Sequence, residues 1–173
     1  MSTTSHVSGR DDLYEAAASE HGAALGRLAY AYEADPEKRR DLLQEIHLAL
    51  WRSFEGFNGR CSVRTWVYRV AHNTAISWVM QQKRGNALVA LEMLDEPVSP
   101  PDADRLVALD RLHSLIQRLK PLDRAVMVGY LEGCDAAEIA ELTGLSAANA
   151  ATKVHRIKRV LAREFNAGGS HVE

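Results

Sequence analysis

Aromatic residues make up only 6% of this 173-residue chain, and the apolar–polar alternation that strands need appears nowhere along it. A sheet protein is excluded on both counts. Cysteine is rarer still. Cys61 and Cys134 stand far apart with no CxxC pattern, so a disulfide scaffold and a structural zinc site both lack ligands. No apolar run approaches the roughly 20 residues that cross a bilayer, and Met1–Arg10 carries no apolar signal core. The expectation is a cytoplasmic protein in a reducing compartment, with no membrane insertion. Recognisable enzyme chemistry is missing too: the seven histidines form no HExxH or HxxxC pattern, and no glycine loop is placed to cradle phosphate. No metal, no cofactor and no catalytic activity are expected. His47 and His72 are expected at helix surfaces or packing edges, and Cys134 in packing.

The residues present are those of a helical protein. Apolar residues reach 46% and charged residues 25%, with Ala and Leu abundant. The net charge of −2 conceals a strong segregation. Arg60 to Arg84 holds five bases (Arg60, Arg64, Arg69, Lys83, Arg84) and no acid. Glu92 to Asp104 holds five acids and no base, and Leu145 to Arg163 again holds five bases (Lys153, Arg156, Lys158, Arg159, Arg163) and no acid. Two basic segments parted by an acidic one suit two separate contacts with a polyanion.

Periodicity predicts an all-α fold of two small helical domains. A first helix spans about Asp12 to Tyr32, with Leu13, Ala17, Ala24 and Leu28 on one stripe. Asp35-Pro36 starts a second, which runs to about Phe54 with Leu42, Ile46 and Leu50 inward. Ser62 caps a third, which runs to about Lys83 and is closed by Gly85-Asn86. Three of the five prolines (Pro97, Pro100, Pro101) then fall in an acidic stretch, marking residues 85–104 as a flexible linker between domains at 12–84 and 105–165. The second domain opens with a helix from about Arg105 to Leu119, with Leu109, Leu112, Ile116 and Leu119 inward, followed by one beginning at Pro121.

The end of the chain carries the sharpest motif. Asp135 and Glu138 have capping-box spacing, Gly144 suits a left-handed turn, and Ser146 caps a basic helix running to about Phe165. This is the layout of a helix-turn-helix. At 100° per residue, Ala150, Val154, Ile157 and Leu161 share one side of the last helix. Ala148, Thr152, His155, Arg156, Arg159 and Arg163 lie opposite, flanked by Asn149 and Lys153. One apolar side to dock and one basic side to face DNA is what a major-groove reader requires. In the third helix, Val63, Val67, Val70, Thr74 and Trp78 form the expected core face. Trp66, Arg69, Asn73, Ser77 and Arg84 lie about a quarter-turn away. Such a face suits unstacked single-stranded bases, and a buried Trp66 is the equally open alternative.

The run DLLQEIHLALWRSFEGFNGRCSVRTWVYRVAHNTA (Asp41–Ala75) resembles the second conserved region of extracytoplasmic-function (ECF) sigma factors of the sigma-70 family. The run LIQRLKPLDRAVMVGYLEGCDAAEIAELTGLSAANAATKVHRIKRVLAREF (Leu115–Phe165) resembles their fourth region. Order, spacing and the intervening linker agree over about Asp12 to Phe165. The resemblance implies a protein that binds core RNA polymerase and directs initiation at promoter DNA. It implies a polymerase contact through Asp41, Gln44, Glu45, Leu48 and Arg52, and minus-ten capture and melting by Arg60, Cys61, Ser62, Arg64, Trp66, Arg69 and Asn73. Minus-thirty-five reading would fall to Ala148, Asn149, Thr152, Lys153 and Arg156, and regulation to an anti-sigma factor.

Two features depart from the family pattern. Val79-Met80-Gln81-Gln82 replaces a denser basic run, and the last helix opens on Ala147-Ala148-Asn149-Ala150-Ala151. Both bear on promoter preference. With few residues after that helix, no fused C-terminal sensory domain is expected. A stand-alone helix-turn-helix regulator is the alternative, which would bind duplex DNA tightly without polymerase. An interaction adapter with incidental basic faces is a third reading. If the two domains fold together, the polymerase-binding helix is expected to be masked.

Overall fold

A computed structural model describes residues 4–89 and 104–167, and every described element is helical. The linker expected at 85–104 falls, from 90 to 103, outside the described residues. The first half holds α1 (Thr4–Tyr32), α2 (Pro36–Ser53), a short 3-10 turn (Phe54–Gly56) and α3 (Val63–Val89). The second holds α4 (Asp104–Gln117), α5 (Pro121–Leu131), α6 (Ala136–Thr143) and α7 (Ala147–Ala167).

The predicted starts are found where the capping chemistry puts them. Asp35 accepts from the Glu37 and Lys38 amides at 2.8 and 3.1 Å, satisfying donors that the first turn of α2 leaves free. Those bonds hold its carboxyl below the usual range. Pro36 and Pro121 take the first positions of α2 and α5. Ser62 Oγ accepts from the Thr65 amide at 3.1 Å. The ends are less predictable. α1 begins at Thr4, well before Asp12, and α3 continues through Gly85-Asn86 to Val89. Glycine and asparagine weaken a helix interior by up to about 1 kcal/mol, which the flanking turns can absorb.

α1, α2 and α3 pack pairwise. Leu25, Leu28, Leu42, Ile46, Leu50 and Val67 are fully buried between them, with Phe54 closing one end. The buried face of α3 differs from expectation. Val67 is interior, but Val63, Val70, Thr74 and Trp78 are only half-buried, while Tyr68, Ala71, His72 and Ala75 are buried. The reason lies in polar tips on apolar bodies. Tyr32 Oη and His72 Nδ1 are hydrogen-bonded at 3.0 Å inside the core, so His72 is no surface residue. Counting aliphatic side chains alone misplaces that face by most of a quarter-turn.

In the second half Ile116, Val126, Ile139, Ala150, Ile157 and Leu161 are buried, whereas Leu109 stands largely exposed. The buried residues of both halves form one continuous apolar cluster. α4 and α5 lie against α1, and α5 and α6 against α3, while among the described residues α2 touches only α1, α3 and the 3-10 turn. In this closed arrangement the outer stripe of α2, the helix expected to meet polymerase, is left uncovered by the second half among the described residues. α2 stays outside the contact between the halves.

Candidate nucleic-acid interface

Between the 3-10 turn and α3 the chain makes a tight loop. Asn58 Oδ1 accepts from the Arg60 amide at 3.2 Å, and Gly59 supplies a φ of 73°. Trp66 stands above this loop. Its indole N–H donates to Ser53 Oγ at 2.9 Å, and its ring meets Phe57 edge-on at 5.3 Å. The Arg69 guanidinium lies 4.9 Å from the Trp66 ring centre and 3.8 Å from Cys61 Sγ. A pocket of about 370 Å³ opens here, lined by Asn58, Arg60, Cys61, Trp66, Arg69 and Glu141. The lining combines an aromatic wall, two guanidinium groups, an amide and the Glu141 carboxylate, groups that can stack on a flat ring and hydrogen-bond its edge. Trp66 is half-buried, neither fully exposed nor enclosed in the core, and is held in place by its bond to Ser53.

Of the seven residues expected at the minus-ten site, this pocket unites Arg60, Cys61, Trp66 and Arg69. Ser62 serves as the helix cap beside it. Asn73 is exposed further along α3, in a groove of about 430 Å³ shared with Glu45, Thr74, Ser77, Trp78 and Gln81. Arg64 turns away toward the second half and donates to the Glu132 carbonyl at 2.7 Å and to Glu138 at 3.3 Å. Two contributors were not foreseen. Ser53 gives no periodic signal as the last residue of α2, and Glu141 comes from a different helix.

On α7 the apolar side is inward as predicted, with Ala150, Ile157 and Leu161 buried. The local folding follows from the caps. Asp135 and Glu138 complete the capping box of α6 at 2.8 and 2.9 Å, and Gly144 takes a left-handed φ of 75°. Ser146 Oγ accepts from the Asn149 amide at 3.2 Å. Ala148, Asn149, Thr152 and Arg156 are exposed, and a groove of about 390 Å³ runs along Thr152, His155, Arg156, Arg159 and Arg163. Lys153 differs. Its ammonium is bonded to Asp123 in the first turn of α5, with Arg156 3.6 Å from the same carboxylate. Lys153 thus braces the helix from below, and Arg159 and Arg163 continue the exposed cationic face from Arg156, on the side where the periodicity puts them.

Asp41, Gln44, Glu45, Leu48 and Arg52 form one exposed stripe along α2, opposite its buried Leu42, Ile46 and Leu50. Leu48 is 39% exposed at its centre. Among the described residues no group of three or more potential ligands is placed to hold a metal ion, and no helix is long and apolar enough to cross a membrane.

Comparison with known proteins matches the description "Sigma-70 region 2" to residues 18–85 and "Sigma-70, region 4" to residues 109–161. The ECF RNA polymerase sigma-E factor of Haemophilus influenzae is 25% identical over 138 residues, covering 70% of this chain and 71% of that protein. Among solved structures, CnrH in complex with the cytosolic domain of CnrY superposes with a TM-score of 0.69 at 20% identity, covering 94% and 93% of the two chains. The sigma factor RpoE in complex with the anti-sigma factor NepR, from Bartonella quintana, gives 0.62 at 18% identity, covering 84% and 91%. With both regions in order on an all-helical frame, the chain belongs to the sigma-70 family as an ECF RNA polymerase sigma factor.

Proposed function

We propose that this sigma factor divides its work among three surfaces. The outer stripe of α2 (Asp41, Gln44, Glu45, Leu48, Arg52) docks on core RNA polymerase. The pocket at the head of α3 takes an unstacked base of the minus-ten element, with Arg60, Cys61, Trp66 and Arg69 lining it. Ser62 and Asn73 lie along the same strand path, and Arg64 joins it once freed from Glu132. The exposed face of α7 (Ala148, Asn149, Thr152 and Arg156, with Arg159 and Arg163) reads the minus-thirty-five element, and Lys153 steadies it. The boundary between the minus-ten and minus-thirty-five domains falls between Val89 and Asp104.

The observation that carries this reading is the pocket itself. A tryptophan fixed by Ser53, flanked by two guanidiniums beside a tight loop, is suited to hold a base outside the stack. The division of charge supports it, because the two basic faces lie on different helices. The protein works in the cytoplasm by binding and orienting, without catalysis or a cofactor of its own. An anti-sigma factor is its proposed regulator, as in the likeness to RpoE, which was solved with one.

The test is promoter melting by the holoenzyme, read as permanganate reactivity of unpaired thymines. Trp66→Ala is expected to reduce melting by about 1–3 kcal/mol for each stacked base lost, and Trp66→Phe to recover much of it. Undiminished melting by Trp66→Ala contradicts the assignment.

A further inference from the structure

The start of α7 leaves the reading of duplex DNA to few side chains. From Ala147 to Ala151 only Asn149 is polar, and the Thr152 hydroxyl donates back to the Ala148 carbonyl at 2.9 Å. Of the two long cations that follow, Lys153 is bonded to Asp123 Oδ1, and Arg156 lies 3.6 Å from Asp123 Oδ2. Their exposure differs. The Asp123 side chain is 17% exposed and that of Lys153 24%, whereas Arg156 keeps 63%. One carboxylate thus withdraws one cation from the exposed face and borders the other from beneath.

Asp123 is itself held firmly. It is the third residue of α5, where unpaired amides favour a carboxylate, and the N-cap Lys120 makes no side-chain cap bond. The next residue, Arg124, is buried and donates to the Gln117 and Leu119 carbonyls where α4 ends. The carboxylate therefore rides on a turn pinned to the neighbouring helix. A guanidinium has five donors, so an edge that meets Asp123 leaves another for the O6 and N7 acceptors of a guanine. Held on one side, Arg156 has less freedom to swing to the nearest phosphate, a contact that carries no sequence information. The same carboxylate places a negative charge below a surface that approaches phosphates, which weakens binding to any sequence.

We propose that Asp123 is a positioning residue for minus-thirty-five reading: it aims Arg156 at a base edge and keeps Lys153 out of the phosphate contacts. This rests on the role proposed for the α7 face. Discrimination at one base pair then depends on a residue of α5, outside the helix-turn-helix that touches DNA.

The test uses holoenzyme assembled from core polymerase and the full chain. Its DNA is a promoter recovered from run-off transcription of a genomic pool, randomised across the minus-thirty-five element. Sequencing of bound and free fractions gives the sequence preference, and titration of the whole pool gives the mean affinity. Asp123→Asn, which is nearly isosteric, is expected to flatten the preference at one base position by about tenfold. Its mean affinity for the pool is expected to equal or exceed that of wild type, because a negative charge is gone and Lys153 is held less tightly. Asp123→Glu, which keeps the charge, is expected to retain most of the preference. Undiminished preference in Asp123→Asn overturns the proposal. So does a parallel fall in preference and pool affinity, which marks Asp123 as a brace of the fold alone. Arg156→Ala separates the two layers. If it flattens the preference while Asp123→Asn does not, only the positioning role fails; if it flattens nothing, the minus-thirty-five reading of α7 fails first.

Discussion

His72 illustrates how a single residue can carry a property that pattern does not announce. It is buried, its Nδ1 is bonded to Tyr32, its Nε2 has no partner among the described residues, and burial depresses its pKa to about 3. The folded state keeps the ring neutral, whereas the unfolded chain protonates it below about 6.5. Its contribution to stability is therefore full above that value and is lost as pH falls toward 3. Between pH 7.5 and 5.0 the loss should approach about 2 kcal/mol, and urea midpoints at the two pH values measure it. His72→Gln, which can still hydrogen-bond but cannot titrate, should lose most of that pH difference; an undiminished difference would place its origin elsewhere. The same scale shows why the base pocket was only partly readable. Arg60, Cys61, Trp66 and Arg69 lie close together in the chain and could be grouped from the resemblance. Ser53, which holds the Trp66 indole, and Glu141, which lines the pocket, are brought there only by packing, which no local pattern encodes.

Elements were most legible where capping chemistry marks them. Asp35-Pro36, the Asp135–Glu138 box and Gly144 each start or stop a helix at the expected residue. Gly144→Ala should cost about 1–2 kcal/mol, because a side chain is disfavoured at positive φ, and it should loosen duplex binding by α7 in step with the loss of stability. Thermal unfolding and duplex titration check it together. The ends of α1 and α3 were harder to place, since nothing at Asp12 or Gly85 forces the backbone out of helix. The face of α3 was misjudged because Tyr68 and His72, amphipathic residues, are buried once their polar atoms find partners. α2 is simpler, with apolar residues inside and a polar stripe outside. Leu48→Asp is expected to leave stability within about 0.5 kcal/mol and to weaken binding to core polymerase about tenfold or more. Unimpaired binding in a pull-down with core polymerase would remove α2 from the docking role.

At the scale of the whole molecule, two helical units with a basic face on each could be read from composition and order, but their mutual arrangement could not. That arrangement depends on Arg27, Arg64, Glu132 and Gln117, polar residues that periodic reading assigns to solvent. Gln117 donates to the Tyr30 carbonyl at 2.9 Å, and Tyr30 Oη to Asp110 at 2.7 Å, so the contact extends along α1 away from the Arg27–Glu132 ion pair. Contacts of this polar, partly exposed kind are weakened by salt. Raising ionic strength should therefore increase the radius of gyration of the free chain, and an unchanged radius would mean that the shared apolar cluster alone holds the halves together. The measurement that bears most directly on the central claim is run-off transcription by purified core polymerase on a genomic promoter pool, with and without the protein. The account predicts initiation at a defined set of promoters that requires the protein and is lost with Trp66→Ala or Leu48→Asp. Absence of initiation, with no association between the chain and core polymerase, would contradict it.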